Sequence, residues 1–557
     1  MHMENNRFPE FNLLDKPWIV VRKKDGSQKE VSVLELFRNA PEYMSLAGEL
    51  PTQDIAILRF LLAILHQALG GADINGNPLP NDEEKQVEGL LELWQALWLE
   101  GNFPYKRIEA YLRKYEDRFW LFHPETPFYQ VNGMDKGTRY TSAKLNGELA
   151  ESSNKIRLFP QRSAACKNTL SFGEATRWLI HVNGFDDTAA KPTQKGLPSP
   201  GAGWLGKLGL IVAIGDNLFR TLMLNLVLLP DNNKSELWGD EKAIWEKSLC
   251  SQERRNISVP NSQAALLTLQ SRRLLLKREG NAVTGYLLQG GDFFPKENAW
   301  IEQMTIWRNN TKNDTVAPEY VPKRHNPSLQ MWRDFSPLIE QGERKKIPGI
   351  MAWLKRLQGE GILERGLIRF QIAGMKYGDK DFFVEDLIHD SLSFNAGLLS
   401  DLHKKWITHI IDELNVTDSL VREFGTLAQK FSQVSGKKNG PKADDARAIC
   451  EEAKSRAYYR LDQPFRRWLE EINPNTIVGE KIDKKCEEWW KESRTIVRDM
   501  AWEIVRNPSP QALIGRDGET LPGVYNRFLY NTTNRETLRK KKGGETHDKP
   551  GKSKKTV

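Results

Sequence analysis

The sequence predicts an α+β chain with a large mixed α/β N-terminal domain over residues 1–390 and a C-terminal four-helix bundle over 391–535. Three observations predict it. A strand–turn–strand start gives way to amphipathic helices within the first 120 residues. Residues 240–390 then read as short apolar strands between turn signals, and after His389 the apolar spacing becomes helical. Residues 536–557 are expected to form a basic, disordered tail around Arg539-Lys540-Lys541-Lys542.

In order, Trp18 to Val21 and Glu30 to Val33 are strands about an Asp25-Gly26 turn. Thr52 is placed as the N-cap of a helix carrying Leu58, Leu61, Leu62, Leu65 and Leu69, which Gly70-Gly71 stops. His66 lies on the apolar side of that helix and is read as core. Amphipathic helices follow at about 81–99, 105–115 and 174–182, the last preceded by a long polar loop. A Gly/Pro-rich stretch with Lys191, Lys195 and Lys207 leads into an apolar strand (Leu208 to Ile214) and a buried helix. Its lysines and glycines suit a backbone lying close to an anion such as phosphate. Leu266 to Lys277 and Val283 to Leu288 flank Gly280-Asn281, a hairpin signal. A second hairpin joins Ile368 to Ala373 with Asp381 to Val384 through a charged, aromatic tip. Four helices then carry Leu399 to Leu414, Leu420 to Phe431, Tyr458 to Leu469 and Trp489 to Ile504, with a polar linker at 435–445.

Composition limits the function classes. Of 557 residues, 39% are hydrophobic and 28% charged, and 17 are Trp, which excludes a disordered chain. No apolar run is read as reaching the roughly 18 residues of a membrane span, and no signal-peptide core is seen, so a cytoplasmic setting without a membrane partner is expected. The four cysteines are widely separated with no CxxC pair, which argues against a zinc site or a disulfide framework. The final 22 residues carry +5 of the net +8, so any nucleic-acid surface elsewhere must be a local patch.

Motifs for catalysis are weak. Gly201, Gly203 and Gly206 satisfy GxGxxG, but the preceding KGLPSP is not a strand. Gly201 to Lys207 matches a P-loop until Leu208, where Ser or Thr must reach magnesium. His389-Asp390 resembles the metal pair of an HD phosphohydrolase without the further ligands that chemistry needs; a metal-dependent phosphohydrolase is therefore one alternative, and a pure protein scaffold another. No catalytic residue, metal or cofactor is assigned. The loops at Phe159-Gln161-Arg162, Lys191-Lys195-Lys207 and Lys376-Tyr377-Asp379-Lys380 combine cations with aromatics, the composition of a surface that neutralises phosphates and unstacks bases.

Three blocks carry a family resemblance: NLLDKPWIVVRKKDG with LPTQDIAILRFLLAILHQAL, then KGLPSPGAGWLGKLGLIVAIGDNLFRTLMLNLVLL, and LQSRRLLL with MTIWRNN. They cover most of the chain in order, and it resembles the large subunit (CasA family) of the type I-E CRISPR surveillance complex, Cascade. The resemblance implies a non-enzymatic subunit that recognises the protospacer-adjacent motif (PAM) in double-stranded DNA from the minor groove. It further implies promotion of duplex opening for R-loop formation, and docking of a helicase-nuclease effector. Implied partners are the other Cascade subunits, the 5′ end of the guide CRISPR RNA, and target DNA. By this resemblance Phe159, Gln161 and Arg162 form the guide-proximal loop, and Thr188, Ala189, Ala190 and Lys191 the minor-groove loop, here lacking the family's glycines. Lys376, Tyr377, Gly378, Asp379 and Lys380 fall on the wedge hairpin, with Tyr377 and Lys376 the residues to wedge or hold phosphate. The family's lysine finger falls at Gly290-Gly291-Asp292, leaving Lys296 as the nearest possible phosphate contact.

Overall fold

The computed structural model describes residues 9–147, 149–151, 155–156, 162, 164–189, 191–192, 194–230, 237–249, 251–310, 319–340, 345–364, 366–435, 443–475 and 480–543. The chain divides into two compact units: Met1–Leu329 with Pro337–Glu364 and Ile368–Ser391, and Gln330–Ser336 with Arg365–Leu367 and Leu392–Val557.

The first unit mixes helices with small antiparallel sheets around the Pro51–Leu69 helix. The residues from Ile55 to Leu65 are buried on every face of this helix, which makes it a core helix rather than a surface one. It is also long and apolar enough to cross a membrane, correcting the expectation that no run reaches that length; 83% of its apolar window is buried inside the unit. Thr52 does not cap it. Pro51 opens the helix, Leu50 stands at the N-cap position, and the Thr52 hydroxyl instead faces His181 Nε2 at 3.1 Å. At this end Asp54 accepts from the Gly48 amide at 2.8 Å, and burial pushes its carboxyl up to about 6 against that bond and Arg177. A raised carboxyl favours the fold fully below its unfolded value near 3.8, and the favour is lost as pH climbs through about 6. Asp54→Asn, which keeps an acceptor for Gly48, is expected to gain about 1–3 kcal/mol on the wild type between pH 5 and pH 7 in denaturant melts.

A buried ion pair crosses this core. Arg59 forks onto Glu302 at 2.7 and 3.0 Å, with side chains 2% and 0% exposed. Glu302 also accepts from Trp204 Nε1 at 3.1 Å and from the Met304 amide at 3.2 Å. Two sheets position the site below. One is the Arg272–Glu279/Ala282–Gly290 hairpin extended by Thr138–Thr141; the other orders Val384–Asn395, Leu367–Tyr377 and Leu210–Ile214. The site hairpin is thus longer than the spacing suggested.

The second unit is helical. Lys404–Ser435 is one helix where two were expected. Residues 415–419 hold neither Gly nor Pro, and Val416, Thr417, Leu420 and Val421 continue a buried face across the supposed break. Ala443–Glu470, Glu480–Val505, Pro510–Ile514, Leu521–Asn531 and Arg535–Gly543 complete it. Gln330–Ser336 belongs here although it lies far upstream: Trp332 stacks on Phe465 at 4.5 Å and donates to Asp462 at 2.8 Å. The start of the expected tail is also ordered. Leu538 is buried, and Arg535 and Arg539 pair with Glu413 and Asp412 of the long helix, so a helix runs to Gly543. Residues 544–557 lie outside the described residues.

Candidate nucleic-acid interface

The Phe172–Phe185 helix begins with a reciprocal cap between Ser171 and Glu174 and delivers Asp186-Asp187 at its end. Asp186 receives Arg272 Nε at 2.5 Å and Lys191 Nζ at 2.8 Å, and Asp187 receives Lys144 Nζ at 2.6 Å. All five side chains are nearly inaccessible. Burial would raise the Asp186 carboxyl, but Lys191 and Arg272 hold it down to about 2. Burial and the Asp186 charge push Asp187 the other way.

This ionic anchor holds the next residue against the second hairpin. The Thr188 amide donates to the Asp381 carbonyl and its hydroxyl to the Lys380 carbonyl, both at 2.9 Å. Tyr377 Oη donates to the Phe185 carbonyl at 2.6 Å from the hairpin's other side. Lys380 and Asp381 have φ of 52° and 61°, left-handed conformations that cost a residue with a side chain about 1 kcal/mol or more each. The Thr188 bonds and a forked Arg324–Asp381 pair at 2.8 and 2.9 Å hold that shape. The Phe383 ring lies over Gly378, where an added Cβ would come within 2.5 Å of it. Thr188 and the hairpin tip, named from separate parts of the sequence, are therefore one fixed platform.

Several assigned roles change. Tyr377 is buried, its hydroxyl is bonded, and burial lifts it far above its ordinary value, so it roots the hairpin and cannot wedge between bases. The Lys191 side chain is 1% exposed and spent on Asp186, so it is not a phosphate contact. Ala189 is 5% exposed and presents no groove-facing surface. Arg162 is half-buried between Glu49 at 2.9 Å and Glu174 at 3.0 Å, which neutralise it. Lys376, Asp379 and Lys380 are exposed, Lys376 in a surface pair with Glu385 at 2.8 Å. Phe159, Gln161 and Ala190 lie outside the described residues; Lys296 opens a short helical turn, and its side chain is likewise outside them.

The structure adds residues that sequence reasoning missed. Phe382 projects from the tip, 43% exposed, and is the aromatic there that faces solvent. The Phe382-Phe383 doublet after a turn was the available signal: one ring packs over Gly378 and the other is left to solvent. At the expected lysine-finger position Asp292 is gripped by Arg255 and Arg273, with Arg255 about half exposed. The adjacent Arg254-Arg255 pair marks that loop. Two of the three GxGxxG glycines are packing residues: a Cβ on Gly203 would lie 2.3 Å from the Gly184 carbonyl, and one on Gly206 2.2 Å from Tyr377 Oη, whereas Gly201 has open space beside it. His389-Asp390 lies on a strand, where neighbours face apart, and among the described residues no group of three His, Cys, Asp or Glu could hold a metal. The phosphohydrolase alternative has no ligand set there.

The sequence profile of CRISPR-associated protein Cse1 matches residues 12–500. The chain belongs to this family. CasA/Cse1 of Thermus thermophilus is 28% identical over 351 residues, 63% of this chain; the chain spans 64% of that relative's length. Cse1 of Thermobifida fusca superposes with a TM-score of 0.78 at 27% identity, over 96% of this chain and 99% of that one. A chain of a CRISPR RNA-guided surveillance complex shares the fold alone, with a TM-score of 0.66 at 15% identity over 94% and 100%. Family membership accounts for the three sequence blocks on which the resemblance rested.

Proposed function

We propose that this chain is the non-catalytic large subunit of an RNA-guided surveillance complex of the Cascade type, acting in the cytoplasm. It reads a PAM in double-stranded DNA from the minor groove and helps to open the duplex for the guide RNA. The observation that carries this reading is the platform of Thr188 and the 376–383 hairpin, fixed by three hydrogen bonds and an ion pair, with Phe382, Asp379 and Lys380 exposed at its tip. A rigid protrusion bearing an aromatic suits insertion between base steps, which costs unstacking energy that a flexible loop would dissipate. Phe382 takes the wedge role first given to Tyr377, and Lys376 exchanges its exposed carboxylate partner for phosphate at little cost. The loop at 159–162 serves the guide RNA 5′ end.

The second unit, with Lys404–Ser435, Ala443–Glu470, Glu480–Val505 and Leu521–Asn531 as a four-helix bundle, serves the other subunits and the helicase-nuclease. A randomised-motif duplex selection with the assembled complex tests the reading. The wild type is expected to enrich a short motif, and Phe382→Ala to flatten that preference while the complex still assembles. Duplex binding that depends on neither motif nor hairpin would leave the pure-scaffold alternative.

A further inference from the structure

Beside the hairpin root lies a small cleft open to solvent, lined by Gly201, Lys207, Arg254, Arg272, Asp292 and Phe293 among others. Its cations are not equally neutralised. Arg272 is matched by Asp186. Arg254 is 5% exposed, and among the described residues its guanidinium donates only to carbonyls, those of Gly291 at 3.2 Å and Pro198 at 2.7 Å. Lys207 is half-buried, and among the described residues its Nζ has neither a hydrogen bond nor a carboxylate partner. Among the described residues, Lys207 and Arg254 thus lack a carboxylate partner in a cleft they share with a third cation, since the lining Asp292 is held by Arg255 and Arg273. Desolvated cations normally come with partners, so such a cleft is incomplete without an anion.

The cleft is open on the Gly201 side. Arg272 Nη2 donates to the Gly201 carbonyl at 2.7 Å, and a Cβ built on Gly201 would sit 3.9 Å from Lys207 Nζ with no closer contact than 3.7 Å. Burial, then Arg272 and Arg324, pulls the Lys207 ammonium down to about 8, with Arg254 adding to the effect and Asp381 opposing it. Half-exposed Phe293 supplies an aromatic at the same opening. We propose that this cleft is a phosphate site, in which Lys207 and Arg254 hold a backbone phosphate of a nucleic-acid strand passing the hairpin root. The choice of a nucleic-acid strand rests on the proposed DNA-reading role; the anion site does not.

The geometry also supplies its own test. Gly201→Asp adds a Cβ 3.9 Å from Lys207 Nζ without a clash, within reach of the ammonium for its carboxylate, so it is expected to occupy the site from within and leave the fold at least as stable. Binding of a fluorescent oligothymidylate to the full chain is expected to weaken about tenfold in Gly201→Asp and in Lys207→Met. The salt dependence should fall by about 0.7 per lost phosphate contact. Inorganic phosphate should compete on the wild type and not on Gly201→Asp. Wild-type oligonucleotide affinity in both variants, with melting temperatures unchanged, overturns the proposal. Phosphate binding lost in Gly201→Asp while oligonucleotide binding persists overturns the nucleic-acid assignment and leaves a free-phosphate site. Neither variant touches Phe382, so an intact pocket effect alongside an inert Phe382→Ala would count against the hairpin reading alone.

Discussion

Glu302→Ala is expected to destabilise the first unit by about 3–5 kcal/mol, because it strands the buried Arg59 guanidinium without a counter-charge. Arg59 is 2% exposed, so bulk solvent cannot take over the role of its counter-charge. Trp204 Nε1 and the Met304 amide lose their acceptor in the same step, two further donors left without a partner in the core. A loss of this size is about a fifth or more of the stability of a typical domain, so the melting temperature of the variant should fall steeply. Pairing it with Arg59→Met separates the two contributions. The double variant should recover most of the loss, since removing both charges costs far less than orphaning one. A denaturant melt of the three proteins measures this, and a single variant as stable as the wild type would show the pair to be unimportant.

Asp186→Ala is expected to act on stability and on DNA together. It removes the shared partner of Lys191 and Arg272, leaving two buried cations with Asp187 as the nearest carboxylate, itself already matched to Lys144. The expected cost is again about 3–5 kcal/mol. More specifically, the backbone from Asp186 to Thr188 carries the bonds that hold Lys380 and Asp381 in left-handed conformations. Released, that tip should relax, and motif-bearing duplex should bind at least tenfold more weakly even under conditions where the protein remains folded. Thr188→Val, which keeps the volume and removes one bond, should give a smaller loss of duplex affinity with little change in melting temperature.

Much of the framework was legible along the chain, for reasons specific to each segment. The spacing of Leu58, Leu61, Leu62 and Leu65 placed the core helix, and the hairpin around Gly378 followed from apolar runs flanking a turn. What failed depended on distant partners. Lys191 read as a free cation although Asp186 and Asp187 stand just upstream, because only Arg272, some eighty residues on, completes the buried cluster with Asp186. Tyr377 read as a wedge because only the Phe185 carbonyl, far upstream, shows which way its hydroxyl turns. The long helix was split because two apolar stripes were treated as separate faces, although no breaker lies between Leu414 and Leu420. Gln330–Ser336 could not be placed with the helical unit from local pattern, since its membership rests on Trp332 against Phe465.

Phe382, on its fixed platform, is expected to unstack the base pair beside the motif. The direct measurement is the fluorescence of 2-aminopurine placed at that pair in target duplex bound by the assembled complex. Wild type and Phe382→Trp should show the unstacked, bright signal, while Phe382→Ala should reduce the opened fraction about tenfold, in keeping with roughly 1–3 kcal/mol for one base–aromatic stack. A full wild-type signal from an assembled Phe382→Ala complex would contradict the account.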